Sequence, residues 1–479
     1  MAGGPSDEIK RGSAQRDTSH EIVDSWHHLV ANFAIVALVA ATVWLFCTAI
    51  RLGVETGSHF IFAAFEPASG HGGDLARWQD DYAALILVAV IMAGALARGL
   101  LLRIPSWRPS EGDGMGASLA AFHESYWEAG DAPPGRYRHS TIGNACRRVV
   151  LTVLTIGTGG SGGSEAPVVP IGEHLGAFWS KTLRVMRHND LRIYQMAGIA
   201  AAVSTLLEAP VTAAIFAAEV VYNARILYRT LMYSLIGAVV AFALNNHFLD
   251  MQPLFQVSAH GHSYTPLEYL EVAAVALAIS APAGLGITAL FTWLKGLIHP
   301  LAPLARPLVG AAVVAAIGLS LWFGLGIEPR HVMGVSEETI VEVIGGTGNP
   351  LLQVWWVLLV LVFAKAVATG FTLMAGGSAG ALVPAMYMGG VSGAAMFHLL
   401  DAAGLTTVTD PGLYVVAGLC SALVAVVQVP LAAIVFSMEV FGAEYGPPAI
   451  VACVITYKLA RRWRLYLNPP PPPQDGEHT

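Results

Sequence analysis

Charge is what this 479-residue chain has least of: 12% of its residues are Asp, Glu, Lys or Arg, against 55% that are hydrophobic, and its mean hydropathy is +0.58. Soluble domains carry about twice that share of charge. An ordinary water-soluble fold is therefore excluded, and a lipid bilayer becomes the expected solvent. Cysteine is nearly as scarce. Cys47, Cys146, Cys420 and Cys453 lie far apart, which leaves neither a disulfide framework nor the paired spacing of a metal site. The 16 histidines contain no HExxH, and His260 and His262 sit in a polar HGH stretch that reads as solvated. No metal, cofactor or nucleic-acid partner is expected.

In place of charge stand long apolar runs. Residues 29–50, 272–294 and 307–327 contain no charged side chain over 22, 23 and 21 positions, each enough to cross a hydrocarbon core. Residues 82–102 form another span after a polar excursion at 52–81, and a Gly-, Pro- and charge-rich connection follows at 104–148. The polar N-terminal region is too long and too acidic for the start of a signal peptide, so 29–50 is expected to be retained. Lys10, Arg11 and Arg16 before the first span, and Lys458, Arg461, Arg462 and Arg464 after the last, place both termini on the cytoplasmic side, with a bacterial inner (plasma) membrane as the expected location. The closing NPPPPPQDGEHT reads as a stiff polar tail.

The chain repeats itself. GGSGGSEAPVVPIGEHLGA at 159–177 returns as GGSAGALVPAMYMGGVSGA at 376–394, an offset of 217 that pairs Gly159 with Gly376, Ser161 with Ser378, Gly163 with Gly380 and Pro167 with Pro384. Glu165 faces Leu382, so one copy carries an acid and the other does not. A second echo relates 197–221 to 417–441 at an offset of 220, pairing Pro210 with Pro430 and Glu219 with Glu439. Two homologous halves are the simplest cause. The expected division is a polar N-terminus at 1–28, membrane repeats at 29–248 and 267–466, a connection at 249–266 and the tail at 467–479.

Within 366–400 there is no charge, but Gly370, Gly376, Gly377, Gly380 and Pro384 forbid one continuous helix. Broken helices at matching places in two halves point to a binding site near the bilayer midplane. If the halves insert with opposite topology, two helix starts face each other there. Each offers unpaired N–H groups and roughly half a positive charge, which can hold an anion without a cationic side chain. Neither motif contains Lys or Arg, which suits weak, exchangeable binding.

These paired motifs resemble the signatures of the CLC chloride channel and transporter family: GGSGGSEAPVVPIG resembles its glycine-glutamate-glycine-proline motif, and GALVP at 380–384 its later Gly-x-Phe-x-Pro motif. The resemblance covers the membrane portion from about residue 29 to 466. It implies an all-α polytopic membrane protein of two inverted-topology repeats with broken and short tilted helices. It also implies transport of chloride or a similar small anion, proton counter-transport, and a homodimer with one pathway per subunit in the lipid bilayer.

By the same resemblance Glu165 is the gating acid, and the anion ligands are the amides of Gly163, Ser164, Glu165, Ala166, Ala381 and Leu382. A carboxylate at a helix start competes with an anion for the same dipole, and protonation removes the competitor. The plainer alternative is that Glu165 only stabilises the first turn of its helix.

Two further family positions match less well. The first signature should fall at Gly112-Asp113-Gly114, where Asp113 replaces the expected hydroxyl and would repel an anion unless it is protonated or turned away; it equally fits an Asp-Gly turn. Tyr466, in WRLY, is the counterpart of the pore tyrosine and equally suits an interfacial belt. Val220 follows Glu219 where proton-coupled members carry a second glutamate, which keeps an uncoupled channel open, and Glu219 and Glu439 are expected to serve structure. From another class, an intramembrane metal hydrolase would use Glu165, His174 and Asp113.

Overall fold

The computed structural model describes residues 6–65, 74–127, 141–183, 188–222, 227–249 and 264–460. The first half runs through α1 (Ser6–Phe62), α2 (Asp74–Leu101), α3 (Met115–Trp127), α4 (Thr141–Thr152), α5 (Glu165–Thr182), α6 (His188–Leu207), α7 (Pro210–Tyr222) and α8 (Tyr228–Phe248). The second comprises α9 (Pro266–Ala281), α10 (Ile287–Ile298), α11 (Ala305–Leu325), α12 (Glu338–Gly345), α13 (Trp355–Met374), α14 (Leu382–Ala402), α15 (Gly412–Val427), α16 (Pro430–Phe436) and α17 (Gly446–Ala460). No β-strand occurs among the described residues; the one β-type contact is an antiparallel bridge between Gly163 and Gly380.

Seven helices among the described residues are long and apolar enough to cross a membrane: Val30–Phe62, Tyr82–Leu101, Tyr228–Phe248, Pro266–Ile298, Ala305–Leu325, Trp355–Met374 and Leu382–Ala402. Others, such as α7 and α16, are too short to span. This mixture of full and partial helices is what the repeated Gly and Pro breaks require. The segment read as a polar excursion at 52–81 is partly helix instead, since α1 continues to Phe62. Arg51 holds Glu55 one turn on at 2.8 Å and reaches Glu208 at 2.7 Å, so the charges at this point support the helix.

Equivalent residues do equivalent work in the two halves. Glu208 and Gln428 both adopt left-handed backbone, with φ of 55° and 66°, and each ends a helix two residues before the proline that opens the next. A Cβ on Gly172 would lie 2.3 Å from Gly198 O, and one on Gly389 would lie 2.2 Å from Gly418 O. Glycine at these positions lets α5 meet α6, and α14 meet α15, backbone to backbone.

The halves also clasp one another. Glu219 of α7 accepts from Leu431 N and Ala432 N at the start of α16. Glu439 accepts from Val211 N, Thr212 N and Thr212 Oγ1 at the start of α7. Each carboxylate thus caps the opposite half's helix, where the dipole favours it.

Candidate functional site

The repeated glycine turns lie against each other. Gly163 N donates to Gly380 O at 2.9 Å and Gly380 N donates to Gly163 O at 2.6 Å, so each residue pairs with its own counterpart, as an approximate two-fold axis through the contact demands. Gly159 and Gly376 enter the turns with φ of 101° and 81°, a conformation that favours glycine. From this contact α5 and α14 depart with Glu165 and Leu382 as first residues. Pro167 and Pro384 occupy the first turn of each, where a missing N–H costs nothing.

A second layer of threonines sets the turns. Ser161 N donates to Thr372 Oγ1 and Ser378 N to Thr155 Oγ1, both at 3.1 Å. The Ser161 and Thr369 hydroxyls lie 3.0 Å apart, and those of Ser378 and Thr152 2.9 Å. Thr152 and Thr155 correspond to Thr369 and Thr372 at the same offset of 217. The repeat therefore begins seven residues earlier than the glycines announce, and these threonines escaped the motif reading.

Glu165 is 3% exposed. Its Oε1 lies 3.5 Å from Ser164 Oγ, and Oε2 has no hydrogen-bond partner among the described residues. The carboxylate faces the backbone N–H groups of Ser164 and Glu165 and, across the crossing, that of Val383 in α14. It therefore stands where two helix starts converge, a place that favours negative charge. Of the expected ligands, Ser164, Glu165, Ala166, Ala381 and Leu382 all belong to these two starts, whose first amides lack intrahelical acceptors. The Gly163 amide, by contrast, is engaged by Gly380 O.

Glycine at 163 is a matter of space. A Cβ there would stand 2.2 Å from Glu165 Oε2 and 3.2 Å from Val383 Cβ. Gly163→Ala is therefore expected to push the carboxylate off the convergence point. In a proteoliposome efflux assay, flux at neutral pH should approach the wild-type flux at acid pH; an unaltered pH profile would refute this account of the glycine.

Asp113 is not an isolated charge. Its Oδ1 accepts from Met115 N at 3.2 Å at the start of α3, and the buried Arg148 of α4 stands beside it, donating to Gly112 O at 2.5 Å. The positive charge of Arg148 lies within reach of Asp113 and offsets part of its field. α3 meets α5 where Ser118 Oγ donates to Glu173 Oε2 at 3.3 Å, about two helical turns past Glu165. His174 Nδ1 lies 2.6 Å from the same Glu173 oxygen. The described residues contain no group of three His, Cys, Asp or Glu arranged to hold a metal. Tyr466, His260 and His262 lie outside the described residues.

One cation near the crossing was missed because it lies outside the motifs. Lys365 of α13 is fully buried, donating to Val332 O at 3.1 Å, Gly334 O at 2.9 Å, Val335 O at 3.2 Å and Ser336 Oγ at 2.9 Å. Its Nζ lies 5.5 Å from the Tyr387 ring centroid and faces the carboxylates of Glu165 and Glu337. Gly162 N donates to Gly334 O at 3.1 Å and Ser161 Oγ to Val332 O at 2.8 Å. The loop held by Lys365 thus supports the first glycine turn. The signal in the sequence was a single Lys between Glu342 and Asp401 in an otherwise uncharged stretch, since an intramembrane charge is costly to keep.

Against this geometry, residues 93–461 match the family described as Voltage gated chloride channel. The chain belongs to that family. This family is made up of channels and transporters rather than enzymes, and the chain is an integral membrane protein of its fold. Among curated relatives, a "Chloride/fluoride channel protein" of Pseudomonas syringae pv. tomato is 26% identical over 292 residues, covering 59% of this chain and 59% of that protein. The aligned part thus spans about three fifths of the relative's own length.

Two solved structures share the fold of the voltage-gated chloride channel family member described here. A CLC-type fluoride/proton antiporter superposes with a TM-score of 0.71 at 19% identity, covering 91% of this chain and 97% of that one. A slow cyanobacterial Cl-/H+ antiporter gives a TM-score of 0.70 at 16% identity, covering 91% and 94%. At these identities the likeness speaks for fold alone.

Proposed function

We propose that the protein carries chloride, or another small anion such as fluoride, across the membrane in exchange for protons, at the crossing of α5 and α14. The observation that carries this reading is the Glu165 carboxylate, buried and facing amides of both helix starts. A site that accommodates one negative group in this way can accommodate another of similar size. When Glu165 is ionised it competes with the anion; when protonated it withdraws, so proton and anion occupancy are linked. The amides of Ser164, Glu165, Ala166, Ala381 and Leu382 would hold the anion, while Asp113, its field partly offset by Arg148, can flank the route.

The halves 29–248 and 267–466 would then be the two inverted repeats around one pathway, with both termini on the cytoplasmic side of a bacterial inner membrane. Each subunit would pair with a second copy through α7 and α16, which expose Val211 and Leu431 at equivalent positions. The names of the Pseudomonas relative and of the two antiporters agree with a small halide cargo.

A second reading, an uncoupled anion channel, is favoured by one position. Val220 is a buried valine where coupled relatives of the resemblance carry an acid, and neighbouring Glu219 is engaged in capping α16. Reversal potential in planar bilayers or liposomes separates the two. A potential that moves with an imposed pH gradient at fixed anion gradient supports exchange, whereas a potential set by the anion gradient alone excludes coupling. Absence of any anion flux would remove both readings.

A further inference from the structure

Alongside the glycine turns, α2, α11 and α13 border a partly open cavity of about 20 Å³ that includes Arg98, Thr155, Thr158, Gly160, Thr372 and Ala375 in its lining, room for about one water-sized particle. Arg98 is 5% exposed. Its Nη1 donates to Thr155 Oγ1 at 3.2 Å and Nη2 reaches Ala375 O at 3.5 Å, while Nε has no partner among the described residues. The acid that faces it is Glu111, which is exposed and directs Oε1 towards Gly376.

The hydroxyls of Thr155, Thr158 and Thr372 donate to Leu151 O, Leu154 O and Ala368 O within their own helices. Among the side-chain donors of the lining, Arg98 Nε is thus left without a partner among the described residues, and an occupant that meets it must be an acceptor. An arginine held away from water is costly unless a counter-charge meets it. Glu111 meets it only from the exposed side, which leaves Nε to be met by an anion in the cavity.

The geometry points to a second anion site, outside the crossing, in which Arg98 holds one chloride-sized monovalent anion between α2, α11 and α13. The site is one bond removed from the second glycine turn, since Thr155 Oγ1 receives both Arg98 Nη1 and Ser378 N. A Cβ on Gly377 would stand 2.9 Å from Arg98 Nη1. An anion on Arg98 therefore fixes the guanidinium that braces this turn. The inference does not rest on conduction through the crossing.

The test is anomalous diffraction at the bromide edge on crystals of the unmodified full-length protein grown with bromide as the halide. A peak within contact distance of Arg98 Nε is expected, lost in Arg98→Met crystals that keep any peak at the crossing. Bromide at Arg98 but not at the crossing would support this site and count against the conduction reading. Bromide at the crossing with only water beside Arg98 would overturn this site and leave conduction standing. Bromide at neither place would overturn it as well. The unmodified protein decides the matter even where Arg98→Met fails to assemble.

Discussion

In proteoliposomes, Glu165→Gln is expected to erase both the pH dependence of anion efflux and the response of the reversal potential to a proton gradient. Glutamine copies the protonated acid in shape but never carries the charge that competes for the convergence of α5 and α14. With one titrating group limiting access, wild-type efflux rises by at most about tenfold per unit fall in pH, and the variant should vary by less than about twofold over the same range. The natural control lies on the same helix. Glu173 is also fully buried, but Gln195 Nε2 and Ser118 Oγ donate to it at 2.7 and 3.3 Å, about two helical turns away from the helix start. Glu173→Gln should weaken the packing of α5 on α6 and leave the pH profile in place. A Glu165→Gln protein that still responds to pH like the wild type would end the gating proposal.

The pairing of the glycine turns was legible because a repeat is a statement about space as well as ancestry. Two copies at a fixed offset, each too short and too broken to be one helix, can bury their irregular backbone only against protein. The capping role of Glu219 and Glu439 was half legible: the repetition suggested structure, but that each acid serves the other half needed coordinates. Residues that act over long separations left no local trace. Arg148 donates to Gly112 O and acts electrostatically on Asp113 from 35 positions away, and nothing in GDGMG announces it. Lys365 was hidden by the habit of reading apolar runs, because it stands immediately before one. The polar look of 52–62 misled for a different reason, since Arg51, Glu55 and Glu208 satisfy one another in place of water.

Lys365→Met is expected to lower the stability of the protein. Methionine keeps the length and volume of the side chain, so little packing is lost. What disappears is a buried ammonium shared among Val332 O, Gly334 O, Val335 O and Ser336 Oγ. Gly334 O retains Gly162 N and Val332 O retains Ser161 Oγ, so the loop is not stripped of every donor. Ser336 Oγ keeps its bonds to Arg330 O and Met333 O, so the loss falls chiefly on Val335 O and should cost roughly 1–2 kcal/mol, visible as a lower melting midpoint in detergent. The same substitution removes a positive charge that faces Glu165 and Glu337. With that attraction gone, the ionised form of Glu165 is held less firmly, and the rise of efflux with falling pH should begin at more alkaline values. Lys365→Arg, which keeps the charge, should restore the position of the pH profile even if the larger fork disturbs the loop. An unchanged melting midpoint with a superimposable pH profile in Lys365→Met would mean that this lysine neither braces the turn nor sets the field at the acid.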